Sequence, residues 1–196
     1  MKRLFLFGLV FLSSFSLVYA QEREERRRGL YVDVGLGFGG VSYFGGGAKA
    51  TADGFKETAE MRMTIDIQLL TIGWALMQNM YLVGTIPAVG DAYFDADMNQ
   101  SQISVAMYGI GARYYPLPSK KYLQLGLDAG LSARSILSNN KEGDPGYGFS
   151  GRLSAAYDFD STMTGITALL GGALMMNALE GDASLSYALF FKLAFK

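Results

Sequence analysis

The sequence predicts an all-β protein, an eight-stranded antiparallel transmembrane β-barrel, and three observations predict it. Alternation of apolar with small or polar residues at period two recurs along most of the chain, the signature of strands with two unlike faces. Half of the residues are apolar and only 18% are charged, against ~25% in a typical soluble domain. The face opposite the apolar one carries Gly, Ser, Ala and Thr with few charges. That inventory suits a narrow filled lumen better than a water-facing surface, which normally carries many lysines and glutamates.

The N-terminus sets the compartment. Lys2 and Arg3 precede an apolar run from Leu4 to Leu12 broken only by Gly8, and Val18-Tyr19-Ala20 follows a serine-containing stretch. This predicts a secretory signal peptide over residues 1–20; the apolar core is short for a helical span of ~20 residues. Residues 21–28, including "EREERRR", read as a charged periplasmic tail, and residues 29–196 as a single barrel domain.

Four strands show clean alternation: Leu30 to Phe38, Tyr122 to Arg134, Tyr147 to Phe159 and Ser184 to Phe195. Met61 to Leu76 alternates but slips phase at Leu69-Leu70, which predicts a bulge or bend. Tyr81 to Val89, Gln102 to Tyr115 and Thr164 to Met176 complete the set with less certain facing. Pro87 predicts a strand end or an irregularity. Short turns are expected at Met77 to Asn79, Pro116 to Lys121 and Asp160 to Thr162. Longer connections are expected at Val41 to Glu60, Asp91 to Ser101, Ser135 to Gly146 and Asn177 to Ala183. Short turns on one side and longer loops on the other fit an outer-membrane barrel. An open sheet edge in lipid would leave backbone groups unsatisfied, so the sheet must close.

Two other architectures compete. The uncharged runs Ile67 to Gly90 and Ser161 to Leu179 are long enough for helical spans, but Gln68, Gln78, Asn79, Pro87 and several glycines interrupt them. A soluble periplasmic lipocalin-like barrel binding a hydrophobic ligand would turn the same apolar faces inward.

The stretch "VDVGLGFGGVSY" places Gly35, Gly37 and Gly40 at the G-x-G-x-x-G spacing of dinucleotide sites. That spacing needs a following helix to meet the pyrophosphate, and nothing after Gly40 is expected to start one. Gly35, Gly37 and Gly39 instead read as lumen-facing positions that relieve crowding, with Gly40 ending the strand. The chain has no cysteine and no histidine, which removes thiolate chemistry and the usual general base and metal ligand. No enzymatic site and no cofactor are expected, and the balanced charge gives no reason to expect nucleic acid. Asp91, Asp95 and Asp97 in "DAYFDADMNQ" offer hard oxygen ligands without the glycine spacing of a calcium loop. They read as a solvated acidic loop.

Charges on the lumen faces should pair. Asp33 and Lys192 lie at similar depth on the first and last strands, which closure makes neighbours. Asp128 and Arg152 fall near mid-height on adjacent strands. Arg62, Asp66, Arg113 and Asp158 are expected to extend this network. Aromatic residues near strand ends predict two girdles at the membrane interfaces. One comprises Trp74, Tyr81, Tyr114, Tyr157, Phe159 and Phe195 with Tyr115 and Tyr122. The other comprises Tyr43, Phe44, Tyr93, Phe94, Tyr147 and Phe149.

The segments "GIGARYYPLPSKKYLQLGLDAGL" and "GWALMQNMYLVG" resemble hairpins of small outer-membrane barrels of the OmpA-transmembrane, OmpX and OmpW kind. The resemblance implies an integral outer-membrane protein that acts through surface loops or as a narrow or laterally open conduit for small solutes, including hydrophobic ones. It also implies contact with outer-membrane lipid and an extracellular ligand at the loops. The last strand, "YALFFKLAFK", resembles the C-terminal signal read by barrel assembly machinery, except that Lys196 follows the aromatic Phe195.

Overall fold

The computed structural model describes residues 29–77, 79–116, 122–138, 141–143, 145–159 and 165–196; the expected signal peptide and charged tail lie outside them. Eight long strands form one closed antiparallel barrel: β1 Leu30–Phe44, β2 Met61–Met77, β3 Met80–Phe94, β4 Gln100–Tyr114, β5 Leu123–Ser138, β6 Gly146–Asp158, β7 Ile166–Leu179 and β8 Asp182–Phe195. Each strand pairs with its sequence neighbours, and β1 pairs with β8 from Val32↔Phe195 to Phe44↔Ala183. A two-residue strand, Lys141–Glu142, pairs back onto the end of β5.

The alternating faces decide which way the wall points. Leu189 and Ile166 are 75% exposed and Phe149 is 69% exposed, all on the outside. Asp33, Asp66, Arg113, Asp128, Arg152 and Lys192 are buried inside. A soluble barrel would bury the leucines and expose the charges. The apolar surface therefore faces outward, and the lipocalin-like arrangement is overturned.

The expected phase slip is visible from both neighbours of β2. Its register against β3 shifts between Gln68 and Leu70, and its register against β1 shifts between Thr71 and Gln68. Pro87 stands inside β3 rather than at its end. It lies opposite the bulge, and the β3–β4 ladder skips from Thr85↔Gly109 to Ala88↔Ala106 around it. The missing proline N–H is thus placed where the ladder is already interrupted.

The connections differ from expectation. Residues assigned to loops continue the alternation and stay paired, so Phe94 faces Gln100 and Ser101 faces Ser138. The β3–β4 connection shrinks to residues 95–99, and the β7–β8 turn to Glu180 and Gly181. Both have positive φ, 45° and 85°, as a two-residue type I′ hairpin requires. The strands are accordingly 13–17 residues long rather than ~9–11.

The glycine-rich stretch after β1 is corrected as well. Gly40 does not end the strand, which runs to Phe44, and a helix, α1 Gly46–Thr58, follows directly. Gly45 and Gly46 have φ of 70° and 60° and turn the chain from strand into helix, after which "AKATADGFK" supplies mostly helix-favouring residues. Ala48 and Ala52 are its buried face. The rim carrying α1 lies opposite the rim where β1 begins and β8 ends, called here the terminal rim.

Candidate functional site

The lumen gathers most of the chemistry-bearing side chains, and strand parity puts them there. Inward positions include Tyr31, Asp33, Gly35, Gly37 and Gly39 on β1, and Arg62, Thr64, Asp66 and Gln68 on β2. At Gly35 a Cβ would lie 2.4 Å from the Lys192 side chain, so the glycine makes room for the lysine.

A central ionic tier crosses the barrel. Arg113 binds Asp128 through its two terminal guanidinium nitrogens, at 2.5 and 3.2 Å, and its Nε lies 4.0 Å from Asp33. Lys192 lies 3.8 Å from Asp33 and 4.6 Å from the Phe190 ring centre. Tyr31 donates to Asp33 at 2.7 Å. Arg152 binds Asp66 at 2.7 Å and also donates to Gln68. Asp33 and Lys192 are thus brought together, while Asp128 and Arg152 are not paired with each other. They face one another across the β5–β6 ladder, but each finds its partner elsewhere. The side chains project toward the barrel axis, where Asp66 is within reach of Arg152 and Arg113 is within reach of Asp128.

The other two ends are also held by polar groups. At the terminal rim Asp158 accepts from Tyr115 at 3.1 Å and Thr167 at 2.7 Å, and is paired with Lys196. At the α1 rim Asp91 accepts from Arg62 at 2.9 Å, Thr64 at 2.9 Å, Tyr93 at 2.7 Å and Tyr43 at 3.0 Å. Asp182 is paired with Arg134 and accepts from the α1 backbone N–H of Ala48 at 3.1 Å. Phe55 of α1 rests against Tyr93, with ring centres 5.6 Å apart.

Two apolar clusters separate these tiers. Tyr31, Tyr81, Tyr115 and Leu169 lie toward the terminal rim, and Phe190 of the same cluster packs within the ionic tier against Lys192 and Arg152. Val41, Val89, Val105, Met107, Met175 and Leu179 lie between it and the α1 rim. The lumen is a filled core, as expected for a narrow eight-stranded barrel.

The expected girdles need correction at four positions. Trp74, Tyr114, Tyr157, Phe159 and Phe195 are exposed on the outer wall, Tyr122 stacks on Tyr157 at 5.6 Å, and Phe44, Tyr147 and Phe149 are exposed near the other rim. Tyr81 is only 4% exposed and lies in the lumen with Tyr115, because both share the inward parity of Val83 and Arg113. Tyr43 and Tyr93 likewise turn in to Asp91. The acidic-loop reading fails at the same place: Asp91 is a buried β3 residue, while Asp95 accepts from the Asp97 and Asn99 N–H groups at 2.9 and 2.8 Å. Among the described residues no cluster of acidic side chains could hold a metal ion.

A closed single-layer wall, apolar outside and ionic within, is the observation that decides the architecture. Structural comparison agrees with it. The barrel superposes on Ail, the attachment invasion locus protein of Yersinia pestis, with a TM-score of 0.55, 8% identity, and coverage of 86% of this chain and 99% of that one. Ail solved with the heparin analogue sucrose octasulfate gives a TM-score of 0.54 at 9% identity, covering 85% and 99%. Neisserial surface protein A gives 0.48 at 11% identity over 86% and 99%.

The chain has the fold of the small eight-stranded outer-membrane barrels. No protein-family model matches the sequence, and comparison with curated proteins finds no match. The barrel is visible in the alternation of its strands and in its closure. The groups that sequence reasoning missed are Tyr43, Thr64, Asp91 and Tyr93 at one rim, Arg134 and Asp182 beside them, and Lys196 at the other. Extending the period-two parity of β3 and β8 to their ends would have found most of them.

Proposed function

We propose that this chain is an integral outer-membrane protein that acts through the surface it presents at the α1 rim, with the signal peptide of residues 1–20 exporting it. The observation that carries this reading is the lumen, filled by alternating ionic and apolar tiers and covered by α1. A wall facing lipid and a core without a path leave the α1 rim as the part of the molecule that meets the outside. The conduit alternative loses its support on the same ground.

Ail was solved with a heparin analogue, but the two lysines of α1 here are already paired. Lys49 and Lys56 of α1 both pair with Asp53, at 3.2 and 3.1 Å, and Asp95 and Asp97 lie in the β3–β4 connection at the same rim. A ligand here meets a balanced, mixed surface. The outward aromatic row of β8 is the surface offered to the assembly machinery.

Because the chain has no cysteine, single-cysteine labelling tests the reading directly. Lys56→Cys should react with a membrane-impermeant maleimide on intact cells, and Asn79→Cys only after the outer membrane is opened. The purified protein should give no steady conductance in planar bilayers. The opposite labelling pattern, or a stable conducting state, overturns the proposal.

A further inference from the structure

The outer wall is not equally apolar all round. On β6, β7 and β8 the outward residues stay apolar to the α1 rim, with Tyr147, Phe149, Met176, Tyr187 and Leu189 all more than half exposed. On β4 the outward positions near that rim are Gln100, Gln102 and Ser104, and Ser104 faces Ser135 of β5. These side chains are ordered along the wall. Gln100 donates to the Gln102 carbonyl at 2.9 Å, and Gln102 donates to the Ser104 hydroxyl at 2.6 Å. Gly90 of β3, opposite Ser104 in the ladder, lets the Gln102 amide lie flat: a Cβ there would be 3.1 Å from its nitrogen.

Height places this ledge. From Leu123 to Ala133 β5 climbs about 25 Å at ~3.3 Å per residue and a tilt of about 40°. That is the full height of an outer-membrane apolar band. Ser135 and its partner Ser104 come next, at the level of the lipid headgroups. A surface projecting into open water normally carries lysine and glutamate, and the loop just beyond carries Asp95 and Asp97. The ledge itself has no charge. It offers amides, which donate and accept, beside hydroxyls, which do the same. That set matches the adjacent hydroxyls of a sugar and lacks the cations that a phosphate would require.

We propose that the Gln100–Gln102–Ser104 ledge, with Ser135, binds the sugar headgroup of the outer-leaflet glycolipid. The proposal rests on the outer-membrane placement above and adds a ligand to the wall beneath the α1 rim. The protein docks the glycolipid on one side only, which fixes how the barrel sits among its lipids.

The test uses the folded full barrel in mixed micelles with radiolabelled outer-membrane glycolipid, the same glycolipid with its phosphates removed, or phospholipid. The folded protein is recaptured and the retained lipid counted. Wild type should retain both glycolipid forms at least fivefold over phospholipid. Gln102→Leu and Ser104→Leu should each lose that preference while the heat-dependent gel shift of the folded barrel is unchanged. Equal retention of all three lipids by wild type overturns the proposal, as does an undiminished preference in both variants. Loss of retention on removing the phosphates overturns the sugar assignment. Efficient cross-linking of Ser104→Cys to a second copy overturns it in favour of a contact between barrels. Absence of a gel shift, with the chain soluble in plain buffer, identifies failure of the membrane placement itself.

Discussion

Arg152 stands directly opposite Asp128 in the β5–β6 ladder, yet its ion pair is with Asp66, 2.7 Å away on β2. The two strands that supply this pair are not neighbours in the sheet. The bond spans the lumen and ties one side of the barrel to the other.

Removing one partner of a buried pair strands the other, at a cost of about 3–5 kcal/mol. Arg152→Met should therefore destabilise the barrel by that order in urea unfolding from lipid. A double-mutant cycle between Arg152 and Asp66 should show coupling above ~1 kcal/mol, and the cycle between Arg152 and Asp128 well below it. Equal couplings would mean that the ladder neighbour is the true partner.

The seam between β1 and β8 tolerates no side chain at Gly39. A Cβ there would sit 1.7 Å from the Tyr187 carbonyl oxygen, whereas at Gly84 the nearest atom is 3.9 Å away. Gly39→Ala should sharply reduce the fraction of chain that reaches the heat-modifiable form. Gly84→Ala should change stability by no more than about 0.5 kcal/mol.

Asp182 serves α1 as a capping acceptor from a distant strand, since Gly45 supplies no side-chain cap. Loss of a capping acceptor costs ~1 kcal/mol, and here it also leaves Arg134 without its carboxylate. Asp182→Ala should speed tryptic cleavage at Lys49 and Lys56 while the strands stay protected. Asp53→Asn, which touches only exposed pairs, should leave the cleavage rate nearly unchanged.

Trp74 is the only tryptophan and is 67% exposed on the outer wall. In bilayers its emission should shift to the blue on folding and be quenched by brominated acyl chains. Quenching by an aqueous quencher instead would place the terminal rim outside the membrane.

The β3–β4 loop should respond to acid. The Asn99 side chain and backbone N–H groups hold the Asp95 carboxyl below its ordinary value. Its contribution is complete above the unfolded carboxylate value near ~3.9 and is lost as pH falls through the lower folded value. Amide exchange at Asn99, corrected for intrinsic rates, should accelerate over that acidic range and stay constant above it.

The faces of the strands were legible because alternation is local. Each leucine on β5 reports its own side, and the doubled Leu69-Leu70 reports the bulge. Which charges meet was not legible in the same way. Asp128 and Arg152 share a rung, and sequence reasoning about neighbours pairs them, but inward side chains reach along chords of the lumen. Asp33 and Lys192 could be brought together from sequence because the seam makes their strands adjacent. The helix was hidden by the glycines that precede it, since its N-terminal support comes from Asp182, more than a hundred residues away in the chain. Asp91 was mistaken for a loop residue because polar side chains that bond to one another inside a barrel look, in sequence, like those that bond to water.

The seating of Lys196 has a practical consequence. Lys196 turns its side chain inward to Asp158, and its backbone exchanges hydrogen bonds with Gly165 at 3.0 Å in both directions. Lys196 is therefore a stopper set into the terminal rim. A purification tag fused there would begin beside the floor of the barrel and compete with the seating of that stopper. The exposed face of α1, where Lys49 and Lys56 already stand free of the wall, is the better place to attach a label or display a peptide.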